Sequence, residues 1–222
     1  MKSKLYGIGV GPGDKELLTV KAVRAIENSD VVIAPSALEG GESIALETAK
    51  EYIKEGTEVV IKHFPMGKKN RVEKAKEAYE FIEEKLREGK NVSFLTIGDP
   101  YVYSTYIHML KHMEERGFYV ETVPGITSFC AAASLVDRTL VVGDNPLMIL
   151  PATRVKDIKD EKYVVIMKVY KHEETVVDFL EEKGFDYVYV SRAGREGQLI
   201  LTDKGEIKKA RDYMSLILAS RE

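Results

Sequence analysis

The sequence predicts an α/β protein of two compact halves, the first on a mostly parallel sheet and the second on a mixed one. Three observations carry that prediction. Short β-branched runs alternate with helix-patterned segments through the first half, the order that builds a parallel sheet covered by helices on both faces. The breaker Pro124-Gly125 then interrupts the alternation, so a domain boundary is expected there, with residues 1–124 before it and 125–222 after it. Beyond the break, strand candidates lie on either side of Gly194 and Gly197 as the arms of a hairpin would, which makes the second sheet mixed. At 222 residues the chain is long for one ordinary domain and short for two large ones, which suits this division.

Leu5 to Val10 reads as the first strand, and it runs into Gly9, Gly11, Pro12, Gly13 and Asp14. A helix from about Leu17 to Asn28 follows, with Leu18, Val20, Ala22, Val23 and Ile26 as inward positions. Asp30 to Pro35 and Thr57 to Ile61 are strands around a helix from Glu42 to Tyr52. His63 to Asn70 is a loop, and a charged helix from Arg71 to Glu88 ends at Gly89. Val92 to Ile97 is a buried strand stopped by Gly98-Asp99-Pro100, because glycine allows a close turn and proline cannot continue a central strand. The spacing of Val102, Tyr106, Met109, Leu110 and Met113 predicts a helix over Tyr101 to Arg116, and Tyr119 to Val123 is the next strand. In the second half, Thr127 or Ser128 is placed to cap a small-residue helix, Phe129 to Leu135. Strands are expected at Pro146–Leu150, Tyr163–Val169, Tyr187–Val190, Gln198–Thr202 and Met214–Leu218, and helices at Glu173–Lys183 and Glu206–Ala210.

Composition removes several function classes. A formal charge of −3 leaves no global basic footprint, so nucleic acid is not expected as a main partner. Cys130 is the only cysteine, which excludes an internal disulfide and any multi-cysteine metal site and fits a reducing cytoplasm. No apolar run approaches the roughly 20 residues that span a bilayer. Met1 to Lys4 leads directly into a strand, so no signal peptide is expected.

The chemistry gathers at strand ends. A strand that stops at Gly98-Asp99 puts backbone N–H groups and a carboxylate at the sheet's carboxyl edge, where open α/β sheets bind small ligands. The glycines after the first strand do not make a dinucleotide fingerprint. Counted from Gly7 and Gly9, the third glycine should fall at Pro12; counted from Gly9 and Gly11, it should fall at Asp14. No phosphate-binding Gly-Lys-Ser/Thr is present, and Asp14 would repel a pyrophosphate. An uncharged or cationic ligand fits better, and a plain structural turn is the alternative. His108 and His112 have the spacing of a helical metal pair, but no glutamate lies between them and no third ligand is evident, so they read as structural and no metal site is expected. Lys68, Lys69 and Arg71 form either a solvated loop or a set of partners for carboxylates.

Taken together, Gly7 to Asp14, Gly98-Asp99-Pro100, Pro124 to Ser128 and the strand Val165-Ile166-Met167-Lys168 resemble the tetrapyrrole methylase family, nearly end to end from Leu5 to Ser220. The resemblance implies two αβα domains, a homodimer, and methyl transfer from S-adenosyl-L-methionine bound in the cleft between domains. Finer features, among them Phe64-Pro65-Met66, Tyr103-Ser104-Thr105 and Leu150-Pro151-Ala152-Thr153, look like the branch that methylates C(20) of precorrin-2 or cobalt-factor II on the way to cobalamin. Carried over by position, it implies cofactor contacts at Pro12, Ile97, Gly98, Asp99, Val102, Thr127, Ser128, Met167 and Ala193, with Lys68, Tyr103 and Thr105 on the substrate side. A cationic sulfonium and an apolar adenosyl group suit Asp99, backbone carbonyls and Met167. The reaction implied is an in-line displacement by an enamine-like meso carbon, which needs alignment more than acid–base help, so no catalytic residue is assigned. Two alternatives stay open. One is a methylase of the same family acting on uroporphyrinogen III or diphthine. The other is a nucleotide-binding oxidoreductase, opposed by the broken glycine pattern; a non-catalytic binding module is a further, poorer fit.

Overall fold

A computed structural model describes residues 3–36, 40–63 and 71–222, with side chains from Lys76 onward in the last stretch. The chain divides into two units, Met1–Thr127 and Ser128–Glu222.

The first unit carries a five-stranded sheet. Its strands are β1 (Leu5–Gly9), β2 (Val31–Ser36), β3 (Glu58–His63), β4 (Val92–Thr96) and β5 (Val120–Val123), in the order β3-β2-β4-β1-β5. Every pairing is parallel. Helices α1 (Val20–Glu27) and α2 (Ile44–Ala49) belong with one face, where Ile8, Val32 and Leu95 of the strands meet Ala22, Ile26 and Ala45. Helices α3 (Arg71–Arg87) and α4 (Tyr106–Glu115) belong with the other, where Leu5, Ile33 and Phe94 meet Ile82, Met109 and Met113. The neighbours β1 and β4 therefore send their connections to opposite faces. That arrangement opens a crevice at their carboxyl ends, the usual ligand position in an open parallel sheet.

The second unit carries β6 (Leu147–Pro151), β7 (Tyr163–Met167), β8 (Asp186–Ser191), β9 (Leu199–Leu201) and β10 (Ser215–Ser220) in the order β6-β7-β10-β8-β9. Only β6 and β7 run parallel, so the sheet is mixed as the sequence predicts. The expected hairpin is present, with Ser191 opposite Leu199 and Tyr189 opposite Leu201. Helices α6 (Glu173–Glu182) and α7 (Lys204–Ile207) join Val164, Ile166, Tyr189 and Ile217 in one core, to which they add Val176, Val177, Leu180 and Ile207. Each of those aliphatic side chains is 2% exposed or less, and burying one stabilises the fold by about 1.5–3 kcal/mol. Helix α5 (Ser128–Leu135) lies against β10 and buries Phe129 and Ala131 to Ala133.

Four local expectations need correction. The helix expected from Tyr101 begins only at Tyr106. Asp99 Oδ1 accepts from the Tyr101 amide at 2.8 Å and Ser104 Oγ from the Tyr106 amide at 3.0 Å, so side chains hold the backbone in turns ahead of the helix. Val20 is 67% exposed, because Ala22, Ala25 and Ile26 define the buried stripe of α1 and Val20 lies off it. The helix expected at Glu206 starts earlier, at Lys204, where Asp203 Oδ1 accepts from the Glu206 amide at 2.9 Å. The second helix is an α-helix only over Ile44–Ala49 and tightens to a 3-10 turn over Lys50–Tyr52. No described helix is long and apolar enough to cross a membrane, and Cys130 is exposed.

Candidate functional site

At the carboxyl edge of the first sheet, three chain segments meet main chain to main chain. The Gly98 amide donates to the Gly11 carbonyl at 2.7 Å, and the Gly11 amide returns a bond to Gly98 at 3.3 Å. A Cβ on Gly9 would stand 2.5 Å from the Gly125 nitrogen, and one on Gly125 would stand 2.2 Å from the Gly98 carbonyl oxygen. Neither contact is tolerable, so these positions require glycine for space. Asp99 then fastens the segments. Its Oδ2 accepts from the Gly125 amide at 3.1 Å while Oδ1 holds Tyr101, which joins the β4 turn to the chain after β5. The carboxylate that the sequence offers as a counter-charge thus already receives two backbone donors, and its remaining lone pairs are what it has to offer a ligand.

A second close approach lies one pleat back. The Gly7 Cβ position is filled by the ring of Tyr106, within 2.0 Å. Tyr106 is fully buried, and its hydroxyl lies 2.6 Å from Thr122 Oγ1, which also accepts from the exposed Tyr101 at 3.1 Å. Burial pushes the Tyr106 phenol up to about 12. No local pattern in the sequence links Gly7 to Tyr106.

The predicted site residues divide between the two units. In the first, Pro12 and Gly98 are buried, Ile97 and Val102 half-buried, and the Val102 amide donates to the Asp99 carbonyl at 3.2 Å. Tyr103 is 45% exposed with φ 51, and Thr105 sits just before α4 without a side-chain cap bond. Thr127 Oγ1 is buried and has no hydrogen-bond partner among the described residues, so it does not cap α5; Ser128 is the first residue of that helix. In the second unit, Met167 ends β7 and the buried Ala193 follows β8, on strands either side of β10. Lys68 and Lys69 lie outside the described residues, as does the rest of 64–70, and so does the side chain of Arg71.

Two positions to which the sequence assigns no site role stand beside the second-unit candidates. Lys168 follows Met167 at φ 57, and Arg192 precedes Ala193 at φ 50. Bulky residues are held left-handed only where the surroundings enforce it, and such strain gathers at functional sites. Lysine and arginine carry no sequence signal for that conformation.

The edge is not built for a pyrophosphate. Asp14 Oδ1 accepts from the Glu16 amide at 2.9 Å, and α1 begins well beyond β1 with its first turn capped by Thr19 Oγ1 at 3.1 Å. A dinucleotide site would need a helix start directly after the strand. The histidine pair is accounted for as well. His112 Nε2 lies 2.9 Å from the buried Glu83, which also binds Arg116 and Arg87, while His108 is exposed. No cluster of three metal-ligating side chains occurs among the described residues.

A parallel sheet with a glycine-built crevice, followed by a mixed five-stranded sheet, defines the class. The chain belongs to the tetrapyrrole (corrin/porphyrin) methylases, whose sequence pattern matches residues 4–208. It is similar to the probable cobalt-precorrin-2 C(20)-methyltransferase of Methanocaldococcus jannaschii, 36% identical over 98% of this chain and 96% of that protein. It is also similar to the cobalt-precorrin-2 C(20)-methyltransferase of Salmonella typhimurium, 30% identical over 100% of this chain and 98% of that one. Among solved structures, the uroporphyrin-III C-methyl transferase of Thermus thermophilus, complexed with S-adenyl homocysteine, matches with a TM-score of 0.74 at 20% identity, covering 97% of each chain. That likeness bears on the fold, and the expected two-sheet α/β architecture is borne out.

Proposed function

We propose that the protein is an S-adenosyl-L-methionine-dependent methyltransferase that methylates the C(20) meso carbon of precorrin-2 or of its cobalt-bearing counterpart, cobalt-factor II, in cobalamin biosynthesis. The observation that carries this reading is the end-to-end similarity, at 36% and 30% identity, to two C(20)-methyltransferases. Cobalt, where present, arrives in the substrate.

The residues fit the cofactor. The carboxyl edge at β1 and β4 brings main chain against main chain and offers no phosphate cradle, and two residues beyond Gly125, Thr127 Oγ1 is a buried hydroxyl with no partner among the described residues. S-adenosylmethionine, when bound, supplies an electrophilic methyl group on a cationic sulfonium. Pro12, Ile97, Gly98, Asp99, Val102 and Thr127 are the proposed contacts in the first unit, and Ser128, Met167 and Ala193 those in the second. Asp99 acts chiefly by fixing the two turns it joins, and Thr127 has a hydroxyl left to give a ligand. Tyr103 and Thr105 are proposed on the substrate side, with Lys68. A homodimer is proposed on the family resemblance.

Calorimetric titration with S-adenosylhomocysteine and, separately, with NADH tests the class. Incubation with precorrin-2 and with cobalt-factor II, read by mass spectrometry, tests the substrate. Binding of S-adenosylhomocysteine and a singly methylated product are expected. Binding of NADH without S-adenosylhomocysteine would overturn the reading.

A further inference from the structure

Arg195 sits in the seven-residue loop between β8 and β9, two positions beyond Ala193. The loop is ordered by its own bonds. The Arg192 amide donates to the Met214 carbonyl at 2.9 Å, the Arg195 amide to the Arg192 carbonyl at 2.9 Å, and the Gln198 amide to the Arg195 carbonyl at 3.0 Å. The Gly194 amide donates to Gln198 Oε1 at 2.8 Å, and Arg192 Nε is paired with Asp212 at 2.6 Å. Arg195 is left half-buried with no carboxylate or carbonyl on its guanidinium among the described residues. Its charge is disfavoured by burial and by the neighbouring Arg192, and favoured only by Asp212, which Arg192 already holds.

The other arginines show how unusual this is for the chain. Arg87, Arg116, Arg138, Arg154 and Arg211 each reach a carboxylate, and Arg221 reaches backbone carbonyls. Arg24 is the other described arginine without a partner, and it lies exposed on α1. A partly desolvated guanidinium beside a second cation is unfavourable until an anion arrives. Its planar donor fork matches a carboxylate.

We propose that Arg195 is a carboxylate anchor, a positioning residue that pairs with a carboxylate of a bound ligand. Resting on the methyltransferase reading, two sources supply that chemistry: the acetate and propionate arms of the tetrapyrrole, and the methionine carboxylate of the cofactor. Among the described residues no carboxylate or carbonyl is bonded to this guanidinium, so its removal should not harm the fold.

The test uses the full chain with Arg195→Ala and Arg195→Lys. Affinities are measured by direct binding of uroporphyrin, a polycarboxylate tetrapyrrole, of S-adenosylhomocysteine, and of methylthioadenosine, which lacks the methionine carboxylate. Melting temperature is measured alongside. The expected result for Arg195→Ala is a loss of roughly tenfold or more in affinity for one carboxylate probe, the size of one charge-assisted hydrogen bond. Methylthioadenosine binding and melting temperature should hold, or the latter rise, with Arg195→Lys intermediate. Loss confined to uroporphyrin assigns the arm of the tetrapyrrole; loss confined to S-adenosylhomocysteine assigns the cofactor. Unchanged affinity for both, or a fall in melting temperature with all three affinities, overturns the proposal. Wild-type turnover of precorrin-2 is scored separately, so failure of the methyltransferase reading cannot be confused with failure of the anchor.

Discussion

At the carboxyl edge of the first sheet, segments meet because Gly9 and Gly125 carry no side chain. At the carboxyl edge of the second, β7 and β8 run into Lys168 and Arg192, full side chains held at φ 57 and 50. One edge depends on atoms left out for its closest approach, and the other has no such approach among the described residues but turns full side chains left-handed directly at its strand ends. The first kind fails when any atom is added. The second costs about 1–2 kcal/mol per residue in the folded state and can be relaxed.

The largest effect should come from adding an atom to the first edge. Gly125→Ala places a Cβ 2.2 Å from the Gly98 carbonyl oxygen, where no flexible side chain can give way. A loss of at least about 3 kcal/mol in urea unfolding is expected. A change under about 0.5 kcal/mol would show that the segments can part, and the contrast between the edges would fall.

Asp99→Ala should cost less, about 1–2 kcal/mol, because it leaves two amides without their acceptor. It should also weaken S-adenosylhomocysteine binding in calorimetry. Asp99→Asn, which keeps an acceptor oxygen, should retain most of both properties. If Asp99→Ala binds as tightly as the parent protein, Asp99 does not shape the site.

The second edge gives the smallest effect and the sharpest sign. Lys168→Gly and Lys168→Val both remove the lysine side chain, and the glycine variant, which takes the left-handed backbone freely, should be the more stable of the two by about 1–2 kcal/mol. Equal stabilities for the two variants would mean that φ at this position stores nothing.

These contrasts also explain what could be read from the sequence. The alternation of strands and helices, the hairpin around Gly194 and Gly197, and the turn at Gly98-Asp99 were legible because each is local. The start of α4 was not. Val102 and Tyr106 keep helical spacing, yet Asp99 and Ser104 take the amides of Tyr101 and Tyr106, a competition that hydrophobic periodicity does not register. The pairing of Gly7 with Tyr106 joins positions far apart in the chain, and the left-handed Lys168 and Arg192 use residues that ordinarily avoid that conformation. Arg195 reads as a surface charge until Asp212, the carboxylate that favours its charge, is seen to be held by Arg192.

The main-chain walls of the first crevice have an evolutionary corollary. A pocket whose contacts come from peptide groups asks little of the surrounding sequence beyond a few absent side chains, and loops around it are free to diversify. Relatives can drift until about two residues in three differ, as they do between this chain and the Methanocaldococcus jannaschii protein, without such walls being lost, provided the close-packed glycines stay. New acceptors can then be accommodated by changing side chains elsewhere. Change around such a crevice is cheap, and loss of the crevice itself is abrupt.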